Sequence, residues 1–215
     1  MKFLIETNMV YWIGAMVFAL SSLLFAYIET KKQNIKQIFR SHMYVSFITT
    51  ISYVIMALAL ATLVAQSGEV IFWTRWLFYM GSCSILTVDI AHYMLKSNIK
   101  KTEIAILTSL TMFCGFLASI TLNNYSWLFF ALSTVAYVGM LLTLFTKANE
   151  NKKSSNSIMW YVLITWSLFP IVWILAPTGL GLITTLEEAI LYFVLDLITK
   201  IAFGLYITKL KRITI

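Results

Sequence analysis

The chain is expected to fold as an all-α membrane protein, a bundle of seven transmembrane helices with its amino terminus outside and its carboxyl terminus in the cytoplasm. Three observations lead there. Of 215 residues, 60% are hydrophobic and 12% charged, and the mean hydropathy is +0.84, values that the surface of a water-soluble domain does not tolerate. Charged residues divide the sequence into seven long apolar stretches, each near the roughly 20 residues needed to cross the hydrocarbon of a bilayer. The basic residues also gather in alternate connections.

The first stretch, roughly residues 5–28, has one leading lysine and no small-residue cleavage site, and it reads as a span rather than a removable signal. Lys31, Lys32, Lys36 and Arg40 follow it. The second, roughly 41–65, ends before Glu69. The third, 72–95, carries Arg75, Phe78, Ser82, Cys83 and Asp89 and is followed by Lys96, Lys100 and Lys101. The fourth, 103–122, and the fifth, 125–146, are separated by two residues, and Lys147, Lys152 and Lys153 come after the fifth. The sixth, 157–177, holds Trp166, Phe169, Pro170 and Trp173. The seventh, 186–209, holds Asp196 and Lys200 and gives way to Lys209, Lys211 and Arg212. Thirteen of the 16 basic residues thus fall on one side, which the positive-inside rule makes the cytoplasm. An odd number of spans places the two termini on opposite sides, as this charge distribution does.

The same positions argue against a nucleic-acid partner despite a net charge of +7. The short connections, without Gly/Ser/Pro linkers or repeats, indicate one domain over residues 1–215. Cys83 and Cys114 lie inside spans without CxxC or Cys/His spacing, and His42 and His92 are isolated, so neither a disulfide framework nor a metal site is expected. There is no phosphate-binding glycine loop and no serine-nucleophile elbow, so the chain is not expected to be an enzyme.

The polar residues within spans carry the functional signal. Lys200 is an ionisable group at bilayer depth, costly unless it is paired and used, and Asp196 precedes it by one helical turn. At 100° per residue Arg75, Ser82 and Asp89 fall nearly on one line of the third span, with about 21 Å of axial rise from Arg75 to Asp89. From outside to inside the order is Arg75, Asp196, Lys200 and Asp89, with Phe78 and Ser82 near the level of the lysine. Trp166, Phe169 and Trp173 share one face of the sixth span. Pro170 removes a backbone hydrogen bond beside them and makes room. With Ser133 and Thr134 of the fifth span they form the walls of an elongated apolar slot between helices.

Each of these has a plainer alternative. Asp196 and Lys200 also suit a structural i, i+4 ion pair, the aromatics ordinary core packing, and Arg75 a side chain snorkelling to the outer interface. Asp89 also suits a hydrogen-bonded core carboxylate, Cys83 a small hydrophobe, His92 an interfacial position, and Glu187 and Glu188 a solvated outer loop. Agreement in depth and facing distinguishes the set.

In these residues the chain resembles the microbial rhodopsins, seven-helix proteins whose retinal is linked to a lysine of the last helix. The match rests on Asp-x-x-x-Lys at Asp196 and Lys200, Trp-x-x-aromatic-Pro-x-x-Trp at Trp166, Phe169, Pro170 and Trp173, Ser133-Thr134, and Arg75. The resemblance implies all-trans retinal bound as a protonated Schiff base to Lys200, with Asp196 as counterion. It also implies a pocket walled by the three span-six aromatics, Pro170, Tyr79, Ser133 and Thr134. Outward pumps similar to bacteriorhodopsin have an aspartate three residues after the arginine, a threonine four later and a carboxylate seven beyond that. This chain has Phe78, Ser82 and Asp89, with Cys83 after the serine. That pattern is similar to the schizorhodopsins, light-driven inward proton pumps, which typically carry glutamate at the position of Asp89. Xenorhodopsins usually lack the carboxylate that Asp196 supplies. The implied protein is a multi-pass pump of the cell membrane, with retinal, protons and the lipid bilayer as partners and a homotrimeric assembly. The alternatives are a sensory photoreceptor without net transport and a seven-helix receptor or small carrier without retinal, in which Asp196 and Lys200 bind something else.

Overall fold

The computed structural model describes residues 2–31, 36–65, 68–94, 98–146 and 153–207. Lys32, Lys96, Lys147, Lys152, Lys209, Lys211 and Arg212, which enter the charge argument, lie outside these residues. Among the described residues seven helices run in order: α1 (Lys2–Lys31), α2 (Lys36–Ala57), α3 (Thr74–Met94), α4 (Asn98–Ile120), α5 (Tyr125–Thr146), α6 (Lys153–Leu175) and α7 (Thr185–Asp196). A π-helical turn over Leu197–Ala202 continues α7, and the seventh helix then runs on to Ile207. Each helix packs on its successor and α7 closes the ring against α1.

Five of these helices are long and apolar enough to cross a membrane by length and composition alone; α2 and α3 are not among them. The reason lies in what those two helices point inward. His42, Ser46, Thr49 and Ser52 of α2 and Thr74, Arg75, Ser82, Thr87 and Asp89 of α3 are all buried. Their polar groups lower the mean hydropathy while the lipid-facing residues, such as Phe47, Ile51 and Leu77, remain apolar and exposed. Two of these hydroxyls turn back onto their own helix: Thr49 donates to the Val45 carbonyl at 2.8 Å and Thr87 to that of Cys83 at 2.9 Å.

One expected boundary is wrong. The apolar run predicts a second span over roughly 41–65, but α2 starts earlier, at Lys36, and stops at Ala57. Ala59 and Ala61 take positive φ (52° and 53°), and a short antiparallel hairpin follows, β1 (Leu63–Val64) with β2 (Val70–Ile71). An apolar run does not by its composition separate helix from strand.

The hairpin braces the seventh helix. Glu69 accepts hydrogen bonds from the Thr185 amide (3.2 Å) and hydroxyl (2.5 Å), and Thr184 with Glu187 forms a capping box at the same end. Glu187 and Glu188 are therefore in the first turn of α7, not in a loop, with Glu187 exposed and Glu188 half-buried.

Candidate functional site

α7 brings Asp196 and Lys200 to the centre of the bundle on one face, as i and i+4 must lie. Their exposures are 0% and 1%, and Lys200 Nζ stands 2.7 Å from Asp196 Oδ1. The approach lies off a hydrogen-bonding direction, so the contact is ionic. At this depth an ion pair must recover several kcal/mol of desolvation per charge, which requires further polar contacts. Asp196 has them. Its Oδ2 accepts from the Tyr79 hydroxyl of α3 at 2.7 Å and from the Tyr53 hydroxyl of α2 at 2.9 Å. Lys200 Nζ also sits 4.0 Å from the Tyr79 ring centroid, a cation–π contact in a water-poor setting.

The backbone of Lys200 is itself unusual. It lies within the π-helical turn Leu197–Ala202, and such turns recur at functional sites because an inserted residue frees a carbonyl and re-aims side chains. Here the Ile198 carbonyl accepts from the Tyr161 hydroxyl at 2.6 Å and from the Phe203 amide.

From Lys200 a cavity extends between α3, α4, α5 and α6. Tyr79, Cys83, Thr111, Gly115, Phe130, Ser133, Thr134, Trp166, Phe169, Pro170 and Trp173 are among its lining. Trp173 stacks on Phe130 with centroids 4.5 Å apart and donates from Nε1 to Ser119 Oγ at 3.2 Å. Phe169 meets Tyr79 edge-on and stacks on Tyr192. Ser133 donates to the Thr111 carbonyl and Thr134 to that of Phe130, so both hydroxyls are spent on backbone and the wall is effectively apolar. An amine beside a slot walled by flat aromatic rings and otherwise apolar side chains suits a long conjugated aldehyde joined to Lys200 as an imine.

Arg75 is 2% exposed and does not snorkel. Its guanidinium lies 4.3 Å from the Tyr192 ring centroid, 5.8 Å from that of Tyr11 and 6.0 Å from that of Tyr53, with Nη2 3.7 Å from Met56 Sδ. The two tyrosine hydroxyls, rather than the guanidinium, occupy the second oxygen of Asp196.

The sequence-derived residues do not all meet. Lys200, Asp196, Cys83, Tyr79, Trp166, Phe169, Pro170, Trp173, Ser133 and Thr134 converge on the cavity or the ion pair. Phe78 is half-buried and Ser82 fully buried, but neither lines the cavity, and Ser82 donates back to the Phe78 carbonyl at 3.2 Å. Asp89 is buried at 7% exposure, ten residues and therefore about 15 Å of rise beyond Tyr79. Sequence reasoning missed Tyr53, Tyr11 and Tyr192. Tyr192 was within reach, because it stands one turn before Asp196 on the Lys200 face. Tyr53 and Tyr11 come from other helices and gave no such sign.

Residues 6–213 match the family of bacteriorhodopsin-like proteins. The crystal structure of schizorhodopsin 4 superposes with a TM-score of 0.86 at 39% identity, covering 94% of this chain and 97% of that one. Sensory rhodopsin-2 of Natronomonas pharaonis is 26% identical over 90% of this chain and 84% of its own length. Bacteriorhodopsin-I of Haloquadratum walsbyi is 26% identical over 66% of this chain and 60% of its own length.

Proposed function

The chain belongs to the bacteriorhodopsin-like family of microbial rhodopsins, and on that premise we propose that it is a light-driven pump carrying protons from outside the cell to the cytoplasm. It is a multi-pass membrane protein and its cofactor is retinal, bound through a Schiff base to a lysine. Lys200 is that lysine in this reading, and Trp166, Phe169, Pro170, Trp173, Tyr79, Ser133 and Thr134 hold the chain of the chromophore. Bound retinal supplies absorption of visible light and an isomerisation that turns the Lys200 N–H away from its dark-state partner.

One observation carries the direction. Both oxygens of Asp196 are engaged, one by the Lys200 cation and the other by two tyrosine hydroxyls. With both oxygens committed to partners, Asp196 serves as a fixed counterion and leaves no oxygen free for the proton on Lys200 Nζ. Phe78, at the place where an outward pump has an aspartate, offers no other oxygen. Asp196 lies N-terminal to Lys200, on the outer side when the basic residues are inside. The inner side holds Asp89, which attracts the released proton through intervening water. Reprotonation of Lys200 Nζ from the outer side closes the cycle. With an inside-negative potential the movement runs downhill by about 2.3 kcal/mol per 100 mV, so light gates and drives a flux that the membrane already favours.

The similarity to a sensory rhodopsin supports a second reading, a photoreceptor without net transport. A suspension of cells containing the pigment separates the two. Light-induced alkalinisation of the medium, abolished by a protonophore, is the expected result. Acidification overturns the inward direction, and a coloured protein that cycles without flux establishes the sensor.

A further inference from the structure

Tyr161 of α6 is half-buried, its ring stacked on Phe203 with centroids 5.2 Å apart and on Tyr206 at 5.9 Å. A phenylalanine would stack there equally well. What tyrosine adds is one hydrogen bond, from its hydroxyl to the Ile198 carbonyl at 2.6 Å. That carbonyl belongs to the π-helical turn that carries Lys200.

The turn is short of backbone donors at this point. In an α-helix the Ile198 carbonyl would accept from the amide four residues on, that of Ala202. Here it accepts from Phe203, five residues on, and the same Phe203 amide is divided between the carbonyls of Ile198 and Lys200. A buried carbonyl that lacks a full donor costs about as much as a lost hydrogen bond, which is one reason π turns are rare and short. Tyr161 supplies the missing donor from a neighbouring helix.

The register of the turn decides where Lys200 points. One residue of helix is worth 100° of azimuth and 1.5 Å of rise, so relaxing the turn to regular α-helix rotates what lies within and beyond it against what precedes it. Asp196 precedes the turn and Lys200 lies inside it. Their contact of 2.7 Å therefore depends on the turn keeping its π form.

We infer that Tyr161 is a positioning residue for the Lys200 nitrogen: its hydroxyl holds the π turn in the register that sets Nζ against Asp196, and release of this bond after illumination frees Nζ from Asp196. The inference needs retinal on Lys200 but no direction of transport, so it holds for a pump and for a sensor alike.

The test alters the bond and keeps the ring. Tyr161→Phe loses the bond. Incorporation of 3-fluorotyrosine at position 161 strengthens it, because the fluorine makes the hydroxyl a better donor, and it also places a single nucleus visible to magnetic resonance. With the Nζ–Asp196 contact loosened, Tyr161→Phe should absorb at longer wavelength than the unaltered pigment. After a flash its visible band should be lost about two- to tenfold faster, the rate equivalent of one hydrogen bond. The fluorinated protein should move both quantities the opposite way, and its fluorine resonance should shift under illumination and return in the dark. Tyr206→Leu removes a ring stacked on Tyr161 and leaves the hydroxyl, so its band and rate should match those of the unaltered protein. A Tyr161→Phe pigment with unaltered band and rate overturns the assignment. So does a change in Tyr206→Leu as large as that in Tyr161→Phe, which makes the effect one of packing. If Tyr161→Phe yields no pigment, the fluorinated protein decides alone, and a resonance that light leaves unmoved overturns the assignment. Absence of inward flux from the unaltered protein overturns the pump reading and not this one.

Discussion

The Tyr79 side chain serves both members of the central ion pair: its hydroxyl donates to Asp196 Oδ2 at 2.7 Å while its ring lies 4.0 Å from Lys200 Nζ. One residue of α3 thus disperses the charge of the anion and cradles the cation. Tyr79→Phe removes the first effect and keeps the second. A hydrogen bond to a charged group is worth about 1.5–3 kcal/mol net, and its loss leaves more negative charge facing the Schiff base. The ground state, in which positive charge sits at the nitrogen, gains relative to the excited state. The visible band should move to shorter wavelength, and an unmoved band would remove the Tyr79 hydroxyl from the counterion.

Gly14 is what admits Tyr53. A Cβ at position 14 would lie 2.3 Å from Tyr53 Cδ1, a clash with a ring pinned by its own hydroxyl to Asp196. Overpacking of this kind costs about 1–3 kcal/mol, more than the roughly 0.5–1 kcal/mol that alanine gains over glycine inside a helix. Gly14→Ala should lower the temperature at which the pigment bleaches and shift the band in the same direction as Tyr79→Phe. Tyr53→Phe should show the spectral shift without the full loss of stability.

Removing Asp196 strands a buried cation. Breaking a buried pair on one side costs about 3–5 kcal/mol, which at about 1.36 kcal/mol per tenfold favours the neutral imine by about two to four factors of ten. Asp196→Asn should therefore lose the visible band or replace it with a near-ultraviolet one, read directly by absorption after adding all-trans retinal. Lys200→Ala should give no bound pigment at all.

Asp89 is tested by Asp89→Asn, which removes the charge and nearly preserves shape. The protein should remain coloured, since Asp89 is about 15 Å of rise from Tyr79, while inward transport slows or stops in the suspension assay. Unchanged transport would take Asp89 out of the route.

Much of this site was legible along the chain. Asp196, Lys200 and the Trp166–Phe169–Trp173 face are each internal to one helix, where a fixed 100° per residue converts spacing into a shared face. The end of α2 was not legible, because Ala57 to Ala65 is apolar whether it continues a helix or turns into a hairpin. Phe78 and Ser82 do not line the cavity, which spacing along one helix does not reveal, since side-chain engagement follows from neighbours on other helices.

Composition, charge distribution and single-helix spacing determined the seven-helix class, the lysine and its carboxylate, and the aromatic slot, because these depend only on solvent and on local helical geometry. The tertiary structure alone decided that Tyr53 and Tyr79 hold Asp196, that Arg75 sits among three tyrosine rings, and that Tyr161 bonds the Ile198 carbonyl. Each of those contacts joins residues from different helices, and the relative rotation of packed helices is set by the fit of many side chains at once.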